Sequence, residues 1–323
     1  MTIDRTGKQL VDGWRKALRT ALAERQEVNS TMSIYLDANQ ALRMSGHLHS
    51  VLLLAAAETE SSQTSSYERW IPAALAVDYL DAFVRVHRQA MRSESNADAD
   101  DHLDHDILAG DLLFTRATET LLELSAPSQK RESCLRRLTT VGRRLCEVEA
   151  RLQERTQRSS MTLDTYGTFL EQYGGVLTEA STAIGAFLGG LSDEQRDHIS
   201  TIGQHLGIAI TYFATATRTR ADQPSEQRPV LGDGDNASRF EHPNRRVSGS
   251  SPLPCIFSSC SETTGSPFDP DTDDLISEKV VRTLRQSAVQ HLTETTNHLR
   301  ALPDSRGKKV FSTIVAHVPV SSQ

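Results

Sequence analysis

Apolar residues recur at every third or fourth position, almost without a break, as far as Arg220. That is the spacing of helices with one buried face. In LVDGWRKALRTALAERQ, residues Leu10, Trp14, Leu18 and Leu22 form a single stripe. Met44 to Ala57 is apolar on nearly all sides, which predicts a helix enclosed by others. Ile71 to Met91 (IPAALAVDYLDAFVRVHRQAM) is long, Ala-rich and amphipathic, with Pro72 suited to a first helical turn. Helices are predicted next over His105 to Leu124, Ser128 to Gln157 and Thr162 to Leu188. LSDEQ then supplies an N-cap at Ser192 and its capping-box partner Gln195, opening a helix from Asp193 to about Arg220.

The strict alternation of strands is almost absent, and only 5% of residues are aromatic. From Asp222 to Asp273, Pro, Gly, Ser and Asp dominate. That segment has too little apolar surface to offset its ordering entropy, so 222–273 reads as one long disordered loop. Helix resumes from Leu275 to Leu302, and a last short helix ends near Val318. The pattern predicts one all-α domain over residues 1–323, with roughly nine or ten helices.

Composition narrows the class. A chain of 323 residues has room for a substantial core. Its net charge of −7, with no segment concentrating Lys and Arg, argues against a nucleic-acid partner. Cys134, Cys146, Cys255 and Cys260 show neither C-x-x-C pairing nor zinc-finger spacing, and read as free thiols of a reducing compartment. MTIDRTGKQLVDGWRKAL lacks the apolar centre of a signal peptide, and VLLLAAA (Val51 to Ala57) is too short to span a bilayer. The expectation is a soluble, cytoplasmic protein without a transmembrane segment.

Five blocks then occur in a telling order: AALAVDYLDAFVRVH (Ala73 to His87), ILAGDLLFTRATETL (Ile107 to Leu121), the long stretch from Gly167 to LGIAIT (Leu206 to Thr211), SPLPCIFSS (Ser251 to Ser259) and ALPDSRGKKVFSTIVAHV (Ala301 to Val318). Together they resemble the trans-isoprenyl diphosphate synthases, or polyprenyl synthetases. The resemblance implies an isoprenoid-synthase-type helical bundle around a central cavity. It also implies prenyl transfer, in which magnesium stabilises the pyrophosphate leaving an allylic diphosphate. Mg²⁺ takes oxygen ligands, so in that family two aspartate-rich motifs face each other across the cavity.

At both motif positions this chain departs from the pattern. The first should follow His87, where Arg88-Gln89-Ala90-Met91-Arg92 stands instead; the second should follow LGIAIT, which continues as Tyr212 to Arg218 with no Asp before Asp222. The early GKxxRP reads Gly46-His47-Leu48-His49-Ser50-Val51, the Arg-Arg-Gly after the first motif is missing, and the mid-chain Lys-Thr reads Thr165-Tyr166. The scaffold blocks survive and the charged recognition sites do not.

One literal Asp-Asp-x-x-Asp does occur, DDHLD from Asp100 to Asp104. As a relocated metal site, Asp100, Asp101 and Asp104 would share a helix face and hold Mg²⁺. The plainer reading is an acidic N-terminal cap of the ILAGD helix, complementing its dipole. Register favours the cap, because the motif abuts AGD instead of ending the preceding helix. His102 and His105 could bind a transition metal but read as exposed; His47 and His49 could touch a phosphate when protonated, the plainer reading near pH 7 being a neutral polar lining. Arg88, Arg92, Arg218 and Arg220 stand where the carboxylates should be. They would bind an anionic ligand such as a diphosphate, or serve as solvated helix-end charges, the plainer reading. GDGDN (Gly232 to Asn236) lacks a strand–helix context and reads as a turn.

Two classes of function follow. One is a degenerate scaffold that binds a prenyl chain or diphosphate, or pairs with an active prenyl synthase, as a homodimer or heterodimer. The other is an active Mg-dependent prenyltransferase built around DDHLD.

Overall fold

The computed structural model describes residues 5–25, 38–42, 46–60, 67–93, 100–157, 163–221 and 270–318. Most of the expected loop, 222–269, lies outside them, as do Cys255 and Cys260. The helices are α1 (Arg5–Arg25), α2 (residues 38–42), α3 (Leu48–Ala57), α4 (Ile71–Ser93), α5 (Asp100–Leu122), α6 (Ser128–Gln157), α7 (Leu163–Gly189), α8 (Asp193–Ala221), α9 (Pro270–Ala301) and α10 (Arg306–His317). A 3₁₀ turn, Tyr67–Trp70, leads into α4. No strand occurs among the described residues, and the fold is an all-α helical bundle.

The bundle is arranged around α3 and α7. Val51 to Ala57 of α3 are essentially without solvent contact, as a helix apolar on every side must be. Leu18 and Trp14 of the α1 stripe join the same core. α7 lies between α3 and α8, α8 packs along α9, and α4 pairs with α5. The α7–α8 approach is backbone to backbone. A side chain at Gly174 would meet Thr211 Oγ1 at 2.1 Å, and one at Gly207 would meet the Gly174 carbonyl at 2.2 Å. Buried hydroxyls on these helices bond back one turn, as Thr182 Oγ1 does to the Thr178 carbonyl (3.1 Å) and Thr215 Oγ1 to that of Thr211 (2.9 Å).

Helix ends follow local chemistry. The Ser192 amide donates to Gln195 Oε1 (2.9 Å) and the Gln195 amide to Ser192 Oγ (3.3 Å), a closed capping box. Two starts differ from the sequence reading. α9 begins at Pro270 rather than Leu275, Pro being preorganised for a first helical position. α5 begins at Asp100 rather than His105, so DDHLD forms its first turn instead of preceding it.

The α8–α9 seam carries histidines seven residues apart on each helix. His198 meets His298 (Nδ1 to Nδ1, 3.0 Å) and His205 meets His291 (2.7 Å), an antiparallel register. Tyr212 stacks on His291 and donates to Glu171 Oε1 of α7 (3.0 Å). Burial lowers the basicity of both His205 and His291; the His291 ring adds to the effect at His205, while Glu171 opposes it at His291.

Cys134 is buried and Cys146 exposed, both free thiols, and burial pushes the Cys134 thiol up to about 11. No helix among the described residues is long and apolar enough to cross a membrane.

Candidate functional site

Along α4, Asp78, Asp81, Arg85 and Arg88 follow one another at intervals of three, four and three, and so share one face of an otherwise apolar helix. That face looks inward, and Asp78 and Arg88 are each 1% exposed. Charges this deep require partners. They come from α3, α6 and α7.

His47 is the N-cap of α3 and adopts a left-handed backbone, φ 53°, the one non-glycine residue to do so among those described. Its Nδ1 lies 2.7 Å from Asp78 Oδ2, and this buried contact accompanies the unfavourable backbone. His49 follows two residues on, with Nε2 3.8 Å from Asp81 Oδ1 and Nδ1 3.4 Å from Thr178 Oγ1. Burial lowers its basicity against the opposing pull of Asp81 and Asp78, so the ring is neutral near pH 7. Arg85 Nη2 bonds Asp81 Oδ2 (3.2 Å) and the Ala41 carbonyl (3.0 Å).

At the end of the row, Arg88 Nε donates to Glu149 Oε2 of α6 (2.7 Å), and its Nη2 reaches the same oxygen. The guanidinium carbon lies 3.9 Å above the centre of the Tyr173 ring of α7. Burial works against this charge, yet Tyr173 and Glu149 outweigh it and strengthen the protonated form. Reading Arg88 as a solvated helix-end charge therefore gives way to a buried ion pair. The cause is Glu149, distant in sequence and adjacent in the bundle.

Neighbouring His87 points toward α5. Gly110 makes room for it, since a side chain there would strike the imidazole at 2.1 Å, and Asp111 Oδ1 stands 3.5 Å from His87 Nε2. Burial lowers the basicity of His87, with Asp111 opposing. The AGD of the ILAGD block is thus the seat of His87.

Beside this row the described side chains leave little space. Asp81, His49, Tyr173, Thr178, Gly207 and Thr211 border a cavity of about 30 Å³, room for little more than a water. Its walls do not fit Mg²⁺. Asp78 and Asp81 are engaged by His47, Arg85 and His49, and no group of three or more His, Cys, Asp or Glu converges among the described residues.

Of the other expected site residues, Asp104 is exposed on α5. Arg92 lies in the last turn of α4, Arg218 and Arg220 in the last turn of α8, and Asp100 and Asp101 at the start of α5; their side chains are outside the described residues. The sequence reading passed over Asp78, Asp81, Arg85, Glu149 and Tyr173. The signal it held was two acids and two arginines at helical spacing inside AVDYLDAFVRVHR, where apolar residues were due.

Comparison with known proteins adds the family context. The family described as polyprenyl synthetase matches residues 92–211. The chain is 27% identical over 221 residues to a geranylfarnesyl diphosphate synthase of Natronomonas pharaonis, covering 60% of this chain and 63% of that protein. It is 29% identical over 178 residues to a geranylgeranyl diphosphate synthase of Methanosarcina mazei, covering 51% and 52%. The chain thus spans between half and two thirds of the length of these curated relatives. In fold it is similar to a geranylgeranyl pyrophosphate synthetase from Geoglobus acetivorans (TM-score 0.72, 18% identity, 97% of this chain and 98% of that one). A polyprenyl synthetase from Streptomyces coelicolor A3(2) is similar too (TM-score 0.68, 19% identity, 96% and 99%).

Proposed function

We propose that this chain is a non-catalytic member of the polyprenyl synthetase family, acting as a regulatory or heteromeric subunit or as a binder of prenyl ligands. The observation that carries this reading is Arg88. It occupies the position where the resemblance expects the first aspartate, and its charge is engaged by Glu149 and Tyr173. A cation there repels Mg²⁺ and supplies no oxygen ligand, and the cavity of about 30 Å³ beside this row is too small for an allylic chain. A partner chain is supported by α5, where Ile107, Leu108 and Leu122 are large, apolar and exposed. Leu122 follows the adjacent Ile107 and Leu108 by fifteen and fourteen residues, close to four full turns, and so lies on their side of the helix.

The test is purified protein with Mg²⁺, isopentenyl diphosphate and a panel of allylic diphosphates, assayed for released pyrophosphate and prenyl products. The expected outcome is no turnover by folded protein. A second reading, an active Mg-dependent prenyltransferase, draws on the α5 backbone, which sets Asp100, Asp101 and Asp104 within one helical turn. Turnover that disappears in Asp100→Asn or Asp101→Asn would establish it and overturn the first.

A further inference from the structure

The α8–α9 seam brings its histidines together nitrogen to nitrogen. His198 faces His298 with 3.0 Å between the Nδ1 atoms, and His205 faces His291 with 2.7 Å between theirs. Each helix gives one ring to each pair, and the pairs lie seven residues apart on both helices. Seven residues are about 10 Å of helix, so these are two separate places rather than one dinuclear centre. All four rings are half-buried, held by the packing yet partly open to solvent.

Neutral imidazole is the commonest protein ligand of transition metals. Two ring nitrogens on one ion at about 2.0–2.1 Å stand about 2.9–3.4 Å apart, for angles between square and tetrahedral. The 3.0 Å pair already meets that spacing, and the 2.7 Å pair needs its rings to part slightly. An all-nitrogen donor set disfavours Mg²⁺, which takes oxygen.

Glu171 supplies an independent observation. Its Oε1 lies 3.8 Å from His291 Nε2, while the other ring nitrogen, Nδ1, faces His205. A carboxylate on that side favours the hydrogen at Nε2 and leaves Nδ1 with its lone pair toward the seam. His205 then donates its own Nδ1 hydrogen to His291. Moving that hydrogen to Nε2 is the one change an entering ion asks of His205, and no proton leaves either ring. Glu294 stands on α9 one turn from both His291 and His298, and its negative charge acts on His205 and His291.

We infer that each histidine pair binds one divalent transition-metal ion of the zinc, nickel and copper class, tying α8 to α9 across the seam. No third His, Cys, Asp or Glu converges on either pair among the described residues, so water completes each coordination shell. The pairs involve none of the α4 row and stand independently of the non-catalytic reading.

The test is calorimetric titration of the tag-free full chain with Zn²⁺ at about pH 7.5, in excess Mg²⁺ and without any diphosphate. Two Zn²⁺ ions per chain are expected. His205→Gln should leave one, and His198→Gln with His205→Gln none. His291→Gln with His298→Gln repeats the loss from α9 should the α8 variant fail to fold. Glu171→Gln should weaken one site by about tenfold or more and spare the other. Cu²⁺ added to His205→Gln should show splitting by two nitrogens in its electron paramagnetic resonance spectrum. Folded wild-type protein that binds no Zn²⁺, binding that persists in both double variants, or copper held by a single nitrogen overturns the proposal. One ion per chain in the wild type strikes out whichever pair tolerates substitution. Unchanged affinity in Glu171→Gln overturns the role given to that carboxylate.

Discussion

Arg88 is almost wholly buried and Glu149 largely so, and each sets its charge against the other's. Removing either partner alone leaves a buried charge unpaired. Arg88→Met or Glu149→Leu is expected to cost about 3–5 kcal/mol in urea unfolding, whereas the double variant should return most of that loss. Additive losses in that cycle would mean the two side chains do not act as a pair. Nothing near Arg88 in the sequence announces this, because its partners sit on α6 and α7. The unfamiliar residue was legible; its burial and neutralisation were not. Spacing alone did reveal the reciprocal bonds of Ser192 and Gln195, since both partners lie within one turn.

At the scale of elements, helix contact is controlled by small residues and by histidine. Gly174→Val would drive a side chain into Thr211 and the Gly207 backbone, and is expected to destabilise by about 3 kcal/mol or more. Gly13→Ala on α1 meets nothing within 4 Å and should stabilise by roughly 0.5–1 kcal/mol. Thermal or urea unfolding of both variants checks the contrast, and equal effects would contradict the close α7–α8 approach. His49, His87, His205 and His291 all lie below their ordinary value of 6.5 in the folded chain, chiefly through burial. The unfolded chain therefore takes up protons first. Stability should be fully present above pH 6.5 and fall progressively as the pH drops below it. A urea midpoint no lower at about pH 5.5 than at about pH 7.5 would refute this. His291→Gln should flatten the slope. The helices themselves were legible wherever apolar periodicity was strong, with α6 found from Ser128 to Gln157 as the pattern indicates. The starts of α5 and α9 were missed because acids and Pro, read as loop or cap, also suit a first helical turn.

For the whole molecule, order of blocks carried more information than any single motif. The bundle was recoverable because the blocks within the described residues lie on helices whose small and apolar positions face fixed neighbours. The state of its interior was not, since a cavity is the space left by many side chains at once. The exposed Ile107, Leu108 and Leu122 of α5 bear on assembly: Leu108→Glu with Leu122→Glu should convert an oligomer to monomer in light-scattering chromatography without loss of helix content. An unchanged mass from a wild-type oligomer would place the contact elsewhere.

The Arg88–Glu149 pair also bears on how such a chain can change over generations. A lone Arg88→Asp exchange would set a new carboxylate against Glu149 beneath the Tyr173 ring, two like charges in a nearly dry pocket. The fold would weaken before any metal could be gained, unless Glu149 changed in the same step. On the non-catalytic reading proposed above, an aspartate lost here and followed by this pairing would behave as a ratchet: the way back would lead through a less stable protein, and selection for stability alone would keep it closed.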